Sequence, residues 1–287
     1  MPAFLAIDWG TTHRRAYRIE GGTVAAAVGD GRGAKFLSRP DYPAELATIR
    51  DQLGDLPALL VGMVGSSLGW QEVPYLALPA DIGDLGRNLH PVEHRTAIVP
   101  GLMVDQDKRF DVMRGEEVQI LGSIASGDLP PDALVCQPGT HCKWVRVREG
   151  KISDFTTAMT GEMFALLKTQ SLLAPQLVEQ PLDDGAFCEG VLAGAGGDLL
   201  GALFGVRAAA VLGKRDRQAS ASYASGLLIG SDVAARFVSG QIVYLIADAE
   251  LGSLYARAIG LLGGDPRHID SQTAFVAGAT AIQEMSS

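Results

Sequence analysis

One pattern occurs twice in this chain and leaves few folds open. Phe4-Leu5-Ala6-Ile7 reads as a short buried strand, Asp8-Trp9-Gly10-Thr11-Thr12 as a turn, and residues 15–19 alternate polar and apolar as a second strand should. Gly21-Gly22 is a hairpin signal, and residues 23–28 return as a third strand. The design recurs: residues 133–136 are a strand, Gln137-Pro138-Gly139-Thr140-His141 a turn, 143–148 a strand, Glu149-Gly150 a hairpin and 152–157 a strand. Gly10 stands twelve positions before Gly22, and Gly139 eleven before Gly150. Such self-similarity points to a duplicated supersecondary unit. A duplicated unit is expected to turn its two Gly-Thr turns toward each other across a cleft.

The remaining elements fit a mixed α/β chain. Residues 44–53, 115–126, 160–168 and 251–262 read as helices, 59–64 and 243–247 as strands, and Ser271 opens a C-terminal helix. Residues 175–213 show no clear period, because Gly and Pro blur it. At roughly 100–200 residues per domain, 287 residues make two domains. With 47% apolar residues each can bury a core.

The net charge of −9, with no basic cluster, argues against a nucleic-acid partner. The longest apolar stretch, 191–213, is broken by Asp198 and Arg207, so no membrane span is expected. The N-terminus has no basic segment and carries an acid in its first apolar run, which argues against a signal peptide. Cys136, Cys142 and Cys188 match no zinc or Cys-x-x-Cys spacing, and a reducing cytoplasmic setting is expected. Nothing in the sequence fixes an oligomeric state, a homodimer included.

Four constellations could carry chemistry. In Asp8-x-Gly10-Thr11-Thr12, glycine lets the backbone approach a phosphate, hydroxyls add donors, and a carboxylate at the strand end suits Mg²⁺. A plain hairpin turn is the alternative. Gly139-Thr140 repeats the turn, followed by His141, Cys142 and Lys143. Lys143 offers a point charge for a phosphate or carboxylate, or is a solvated strand residue. His141 is a ligand or a hydrogen-bonded structural histidine, and Cys142 reads as a packing residue. Arg114-Gly115-Glu116-Glu117 opens a helix, where acids are favoured by the dipole alone. At about 100° per residue the two glutamates cannot face one site. The loop from Gly62 to Tyr75, with Ser66, Ser67, Trp70 and Glu72, suits a polyhydroxylated ligand or is an ordinary loop around a core Trp.

Taken in order, Asp8-Trp9-Gly10-Thr11-Thr12 with Arg15-Ala16, Gly62-Met63-Val64-Gly65-Ser66, Gly69-Trp70, Pro74-Tyr75, Pro100-Gly101-Leu102, Met113-Arg114-Gly115-Glu116-Glu117, Pro138-Gly139-Thr140-His141-Cys142-Lys143-Trp144, Met159-Thr160-Gly161-Glu162 and Gly226-Leu227-Leu228-Ile229-Gly230 resemble the 2-dehydro-3-deoxygalactonokinase family. The resemblance spans nearly the whole chain. It implies two ribonuclease-H-like domains of the actin-like ATPase fold with an interdomain cleft, at residues 1–114 and 115–287. It implies transfer from ATP, with Mg²⁺, to the terminal hydroxyl of 2-dehydro-3-deoxy-D-galactonate. By similarity, Asp8, Gly10, Thr11 and Thr12 form the first phosphate site, Asp8 placing the metal. Gly139, Thr140, Gly226, Gly230 and Asp248 fall at the nucleotide. Arg15, Ser66, Trp70, Arg114, His141 and Lys143 fall at the substrate, and Glu116 is favoured over Glu117 as base. The family tends to carry glycine where this chain has Asp248, so a side chain there touches the nucleotide or narrows its pocket. A kinase of another 2-keto-3-deoxy sugar acid, and a non-catalytic sugar-acid or nucleotide sensor on the same fold, remain as competing functions.

Overall fold

The computed structural model describes residues 2–106 and 108–285. Contacts divide it into two compact units: 1–132 with 146–155 and 270–287, and 133–145 with 156–269.

In the first unit the N-terminal meander forms as expected. Strand β1 (Phe4–Trp9) runs antiparallel to β2 (Arg14–Glu20), and β2 antiparallel to β3 (Thr23–Asp30). Helix α1 (Tyr42–Leu53) places Tyr42, Leu46, Ile49 and Leu53 on one buried face. Strand β4 (Ala58–Gly62) then lies parallel to β1, with every residue buried. Parallel pairing needs a crossover, and α1 is the helix along it. After β5 (Leu76–Ala77) and α2 (Ile82–Arg87), β6 (His90–Glu93) and β7 (Thr96–Ile98) complete a six-stranded sheet in the order β3-β2-β1-β4-β7-β6. Strands β8 (Leu102–Gln106) and β9 (Arg109–Met113) join β5 in a small second sheet, and α3 (Glu116–Ser126) follows. The core gathers Leu5, Ile7, Trp9, Leu46, Leu60 and Ile98. Trp9, Tyr42 and Trp70 continue it as a run of rings with centroids 4.9 and 5.9 Å apart.

The second unit holds β10 (Ala133–Gln137) and parts of β11 (Cys142–Arg148) and β12 (Lys151–Ala158). Helices α4 (Thr160–Gln170), α5 (Gly185–Ala195), α6 (Leu199–Val211) and α7 (Arg217–Ala234) follow, then β13 (Ile242–Ala247), α8 (Ala249–Leu261) and β14 (Asp265–Asp270). The sheet order is β12-β11-β10-β13-β14, with β13 parallel to β10. This matches β3-β2-β1-β4-β7 of the first unit position by position, so the repeat seen in sequence is a repeat of topology.

The last helix, α9 (Ser271–Met285), belongs to the first unit and packs on α3. A Cβ added at Gly122 or at Gly278 would collide with the opposite backbone, so the two helices meet through bare backbone. The expected boundary at 114/115 separates α3 and α9 from the first unit. Packing groups α3 and α9 with the first unit. No helix among the described residues is long and apolar enough to cross a membrane.

Candidate active site

In the first unit three backbone segments meet at one point. Asp8 sits near the end of β1, half-buried. Gly62 ends β4 with φ 91°, and a Cβ there would stand 2.9 Å from the Trp9 carbonyl and 3.6 Å from Asp8 Oδ1. Gly115 precedes α3 with φ 111°, and a Cβ there would stand 3.3 Å from Gly62 Cα. Both glycines have a backbone conformation that other residues rarely adopt. Together they bring β1, β4 and the start of α3 close enough for Asp8 and Glu116 to feel each other.

The electrostatics follow from that crowding. Desolvation pushes the Asp8 carboxyl up to about 6, the Arg15 guanidinium opposes the rise, and the Glu116 charge adds to it. Arg15 stands opposite Asp8 in the β1–β2 register. Glu117 is fully buried, and both of its oxygens accept from the Gly115 amide at 2.8 and 2.7 Å. Burial, then the neighbouring Glu116, push Glu117 up to about 8. Glu116 is half-buried and accepts from the Arg114 amide at 3.0 Å.

The Gly10–Thr12 turn is closed by the Gly10 amide, which donates to the His13 carbonyl at 2.9 Å, and is held from outside by residues 33–35. The carbonyls of Gly10, Thr11 and Thr12 accept from Ala34, Lys35 and Gly33 at 2.9, 3.1 and 3.0 Å. Among the described residues the Thr11 and Thr12 amides meet no acceptor, which leaves them as donors toward an anion.

The loop after β4 is organised by Arg114, which is buried. Its Nη2 donates to the Val73 carbonyl at 2.6 Å and its guanidinium lies 4.3 Å from the Tyr75 ring centroid. Nε and Nη1 are buried without a hydrogen-bond partner. Ser66 turns inward, donating to the Met63 carbonyl and accepting from the Leu68 amide. Trp70 stacks on Tyr42 beside the core. Both residues therefore shape the loop from within it.

In the second unit the Gly139-Thr140 turn lies under the start of α4. A Cβ at Gly161 would collide with the Gly139 carbonyl, and the Glu162 amide donates to the Thr140 carbonyl at 2.9 Å. His141 Nε2 pairs with Glu162 at 2.6 Å. Lys143 is buried, and its Nζ donates to Thr157 Oγ1 at 2.8 Å. Burial pushes the Cys136 and Cys142 thiols up, which suits packing residues rather than nucleophiles.

A cavity of about 230 Å³ opens beside this turn. Gly139 and Asp248 line it together with Thr160, Ser225, Glu250 and Tyr255. Asp248 caps α8, its side chain accepting from the Leu251 amide at 3.0 Å. Gly226 and Gly230 lie elsewhere. A Cβ on either would collide with the α5 backbone, so these glycines serve the α5–α7 contact. Ser225, Leu228 and Ile229 of the same helix reach the cavity. Single-residue reasoning did not mark Ser225, Glu250 or Tyr255. For Glu250 and Tyr255 the available signal was the strand-to-helix junction 247–255, which lines the cavity; Ser225 lies apart from it on α7.

The comparisons agree with this architecture. The family model described as 2-keto-3-deoxy-galactonokinase matches residues 8–282. The 2-dehydro-3-deoxygalactonokinase of Escherichia coli strain K12 is 38% identical over 285 residues, 97% of each chain. A crystal structure of a candidate 2-dehydro-3-deoxygalactonokinase from Sinorhizobium meliloti superposes with a TM-score of 0.92 at 29% identity, covering 98% of this chain and 96% of that one. The activator of the 2-hydroxyisocaproyl-CoA dehydratase from Clostridium difficile, solved with bound ADPNP, shares the fold at a TM-score of 0.52 and 11% identity, covering 99% and 96%. The fold is thus α/β, of the actin-like ATPase type with ribonuclease-H-like domains. Motif order, duplicated strand order and full-length similarity coincide, and the chain belongs to the 2-keto-3-deoxy-galactonokinase family.

Proposed function

We propose that this protein is an ATP-dependent kinase acting in the cytoplasm on the terminal 6-hydroxyl of 2-dehydro-3-deoxy-D-galactonate, in galactonate breakdown. The observation that carries this reading is full-length similarity to a kinase of that name, together with the expected carboxylates at the convergence of β1, β4 and α3. Three free cysteines accord with a reducing compartment.

Phosphoryl transfer needs positioning and charge neutralisation more than covalent help. Glu116 accepts the hydroxyl proton. Of the two glutamates it is the one not held by both oxygens on a single amide. Glu117 shapes the start of α3. In the first unit the Thr11 and Thr12 amides are donors for phosphate oxygens; in the second the cavity beside the Gly139-Thr140 turn receives the nucleoside, with Asp248 at its edge.

Asp8 fits a divalent cation. Its carboxyl is desolvated and faces the Glu116 charge, so a cation would offset a cost already present. Among the described residues no group of three or more His, Cys, Asp or Glu could hold a metal alone. Mg²⁺ usually takes one or two carboxylates plus substrate phosphates, and Asp8 would supply one such carboxylate. When bound, Mg²⁺ supplies positive charge against the triphosphate.

The substrate carboxylate is assigned to Arg114 over Lys143. Arg114 has two nitrogens without partners, while Lys143 already donates to Thr157. Both nitrogens are enclosed, so contact requires the 65–75 loop to shift. Arg15 is an exposed polar group available to the sugar hydroxyls, whereas His141 is exposed with its Nε2 paired to Glu162.

The test is coupled ADP release with ATP and a panel of sugar acids and neutral sugars of equal length. Turnover is expected with 2-dehydro-3-deoxy-D-galactonate and weakly or not at all with neutral sugars. Equal efficiency toward a neutral sugar would remove the carboxylate contact. Strong preference for another 2-keto-3-deoxy acid would reassign the substrate.

A further inference from the structure

Asp232 lies on α7 and is 8% exposed. Its oxygens accept from three elements: Trp144 Nε1 on β11 at 3.1 Å, Thr160 Oγ1 at the start of α4 at 2.9 Å, and Tyr255 OH on α8 at 3.3 Å. Arg236 Nε, in the turn just after α7, stands 3.5 Å away. Burial pushes the Tyr255 phenol well up, which keeps it a donor.

A buried carboxylate is costly even when fully engaged, and apolar residues of similar size often fill such a place at no loss of stability. What apolar packing does not supply is direction. Thr160 and Tyr255 both line the cavity. Thr160 also starts the helix whose next residue, Gly161, rests on the Gly139 carbonyl, and whose Glu162 amide holds the Thr140 carbonyl. One carboxylate therefore sets two cavity walls and, through α4, the second Gly-Thr turn.

We propose that Asp232 is a positioning residue for the nucleotide, acting through Thr160 and Tyr255 without touching substrate, a role that rests on the cavity taking ATP as proposed above. Removing the Thr160 hydroxyl breaks the link while keeping side-chain volume. Removing one Asp232 oxygen breaks it from the other end.

The experiment compares Asp232→Asn, Thr160→Val, Thr160→Ser and the Asp232→Asn/Thr160→Val pair. KM for ATP, KM for the sugar acid, ADP affinity by calorimetry and Tm are measured for each. Asp232→Asn and Thr160→Val are expected to weaken ADP and raise KM for ATP by about tenfold, as loss of a hydrogen bond to a charged group does. KM for the sugar acid stays put, Thr160→Ser behaves as the parent, and the pair is no worse than either single change. A purely structural Asp232 would lower Tm while ADP affinity and both KM values stay unchanged, and that result overturns the proposal. Should Asp232→Asn fail to fold, the Val and Ser variants of Thr160 decide alone. If the parent enzyme binds no ADP, both the nucleotide site and the Asp232 role fall. If it binds ADP and the variants match it, only the Asp232 role falls.

Discussion

Glu116 and Glu117 open the same helix with different surroundings. Glu117 is sealed and bonded by both oxygens to the Gly115 amide, whereas Glu116 keeps an exposed edge near Asp8. Glu116→Gln is expected to lower kcat by about 10²–10⁴-fold, the usual contribution of a positioned base, with ADP affinity retained. Loss of activity in Glu117→Gln alone would move the base to the neighbour. Glu117 also makes a pH prediction. Its carboxyl is raised from 4.5 to about 8, so between those values the folded state holds a proton that the unfolded state has released. Stability then falls as pH rises through that window, by up to roughly 1.4 kcal/mol per unit for one such group. Glu117→Gln should flatten the slope in denaturant titrations at pH 5 to 8, and an unchanged slope would mean Glu117 ionises normally. Asp8→Asn is expected to abolish turnover, and the parent enzyme is expected to lose activity in a chelator titration. Full activity in excess chelator would remove the metal from the account.

The helices of the second unit show what the sequence concealed. Gly190 and Gly194 on α5 face Gly226 and Gly230 on α7, and a Cβ on any of the four would collide with the partner helix's backbone. A contact built from glycine carries no apolar stripe, so residues 175–213 showed no period although α5 and α6 lie there. Gly226 and Gly230, which the resemblance puts at the nucleotide, are taken up by this helix contact. Gly226→Ala should destabilise by at least about 1–3 kcal/mol through overpacking, seen as a lowered denaturation midpoint. If instead only ATP affinity changed, the residue would belong to the nucleotide after all. Elements with a strict period were legible. The β1–β3 meander, α3 and the β10–β12 meander fall within a few residues of their expected bounds. The short strands β5 to β9 were not, since two to five residues carry too little pattern.

At the scale of the whole chain, the duplicated strand order was legible because each copy carries the same Gly-Thr turn and glycine hairpin. The grouping of α3 and α9 with the first unit was not, because it depends on Gly122 meeting Gly278 across 156 positions of sequence. The family could be read from motif order, and the comparisons support it at full length. The central claim concerns one bond, from phosphorus to the terminal oxygen of a sugar acid. The most direct test is to run the purified enzyme to completion on ATP and 2-dehydro-3-deoxy-D-galactonate and locate the phosphate by ³¹P–¹H correlation NMR. The account predicts stoichiometric ADP and a single phosphate ester at carbon 6. Phosphate on another carbon, or ADP release no faster than without the sugar acid, would contradict it.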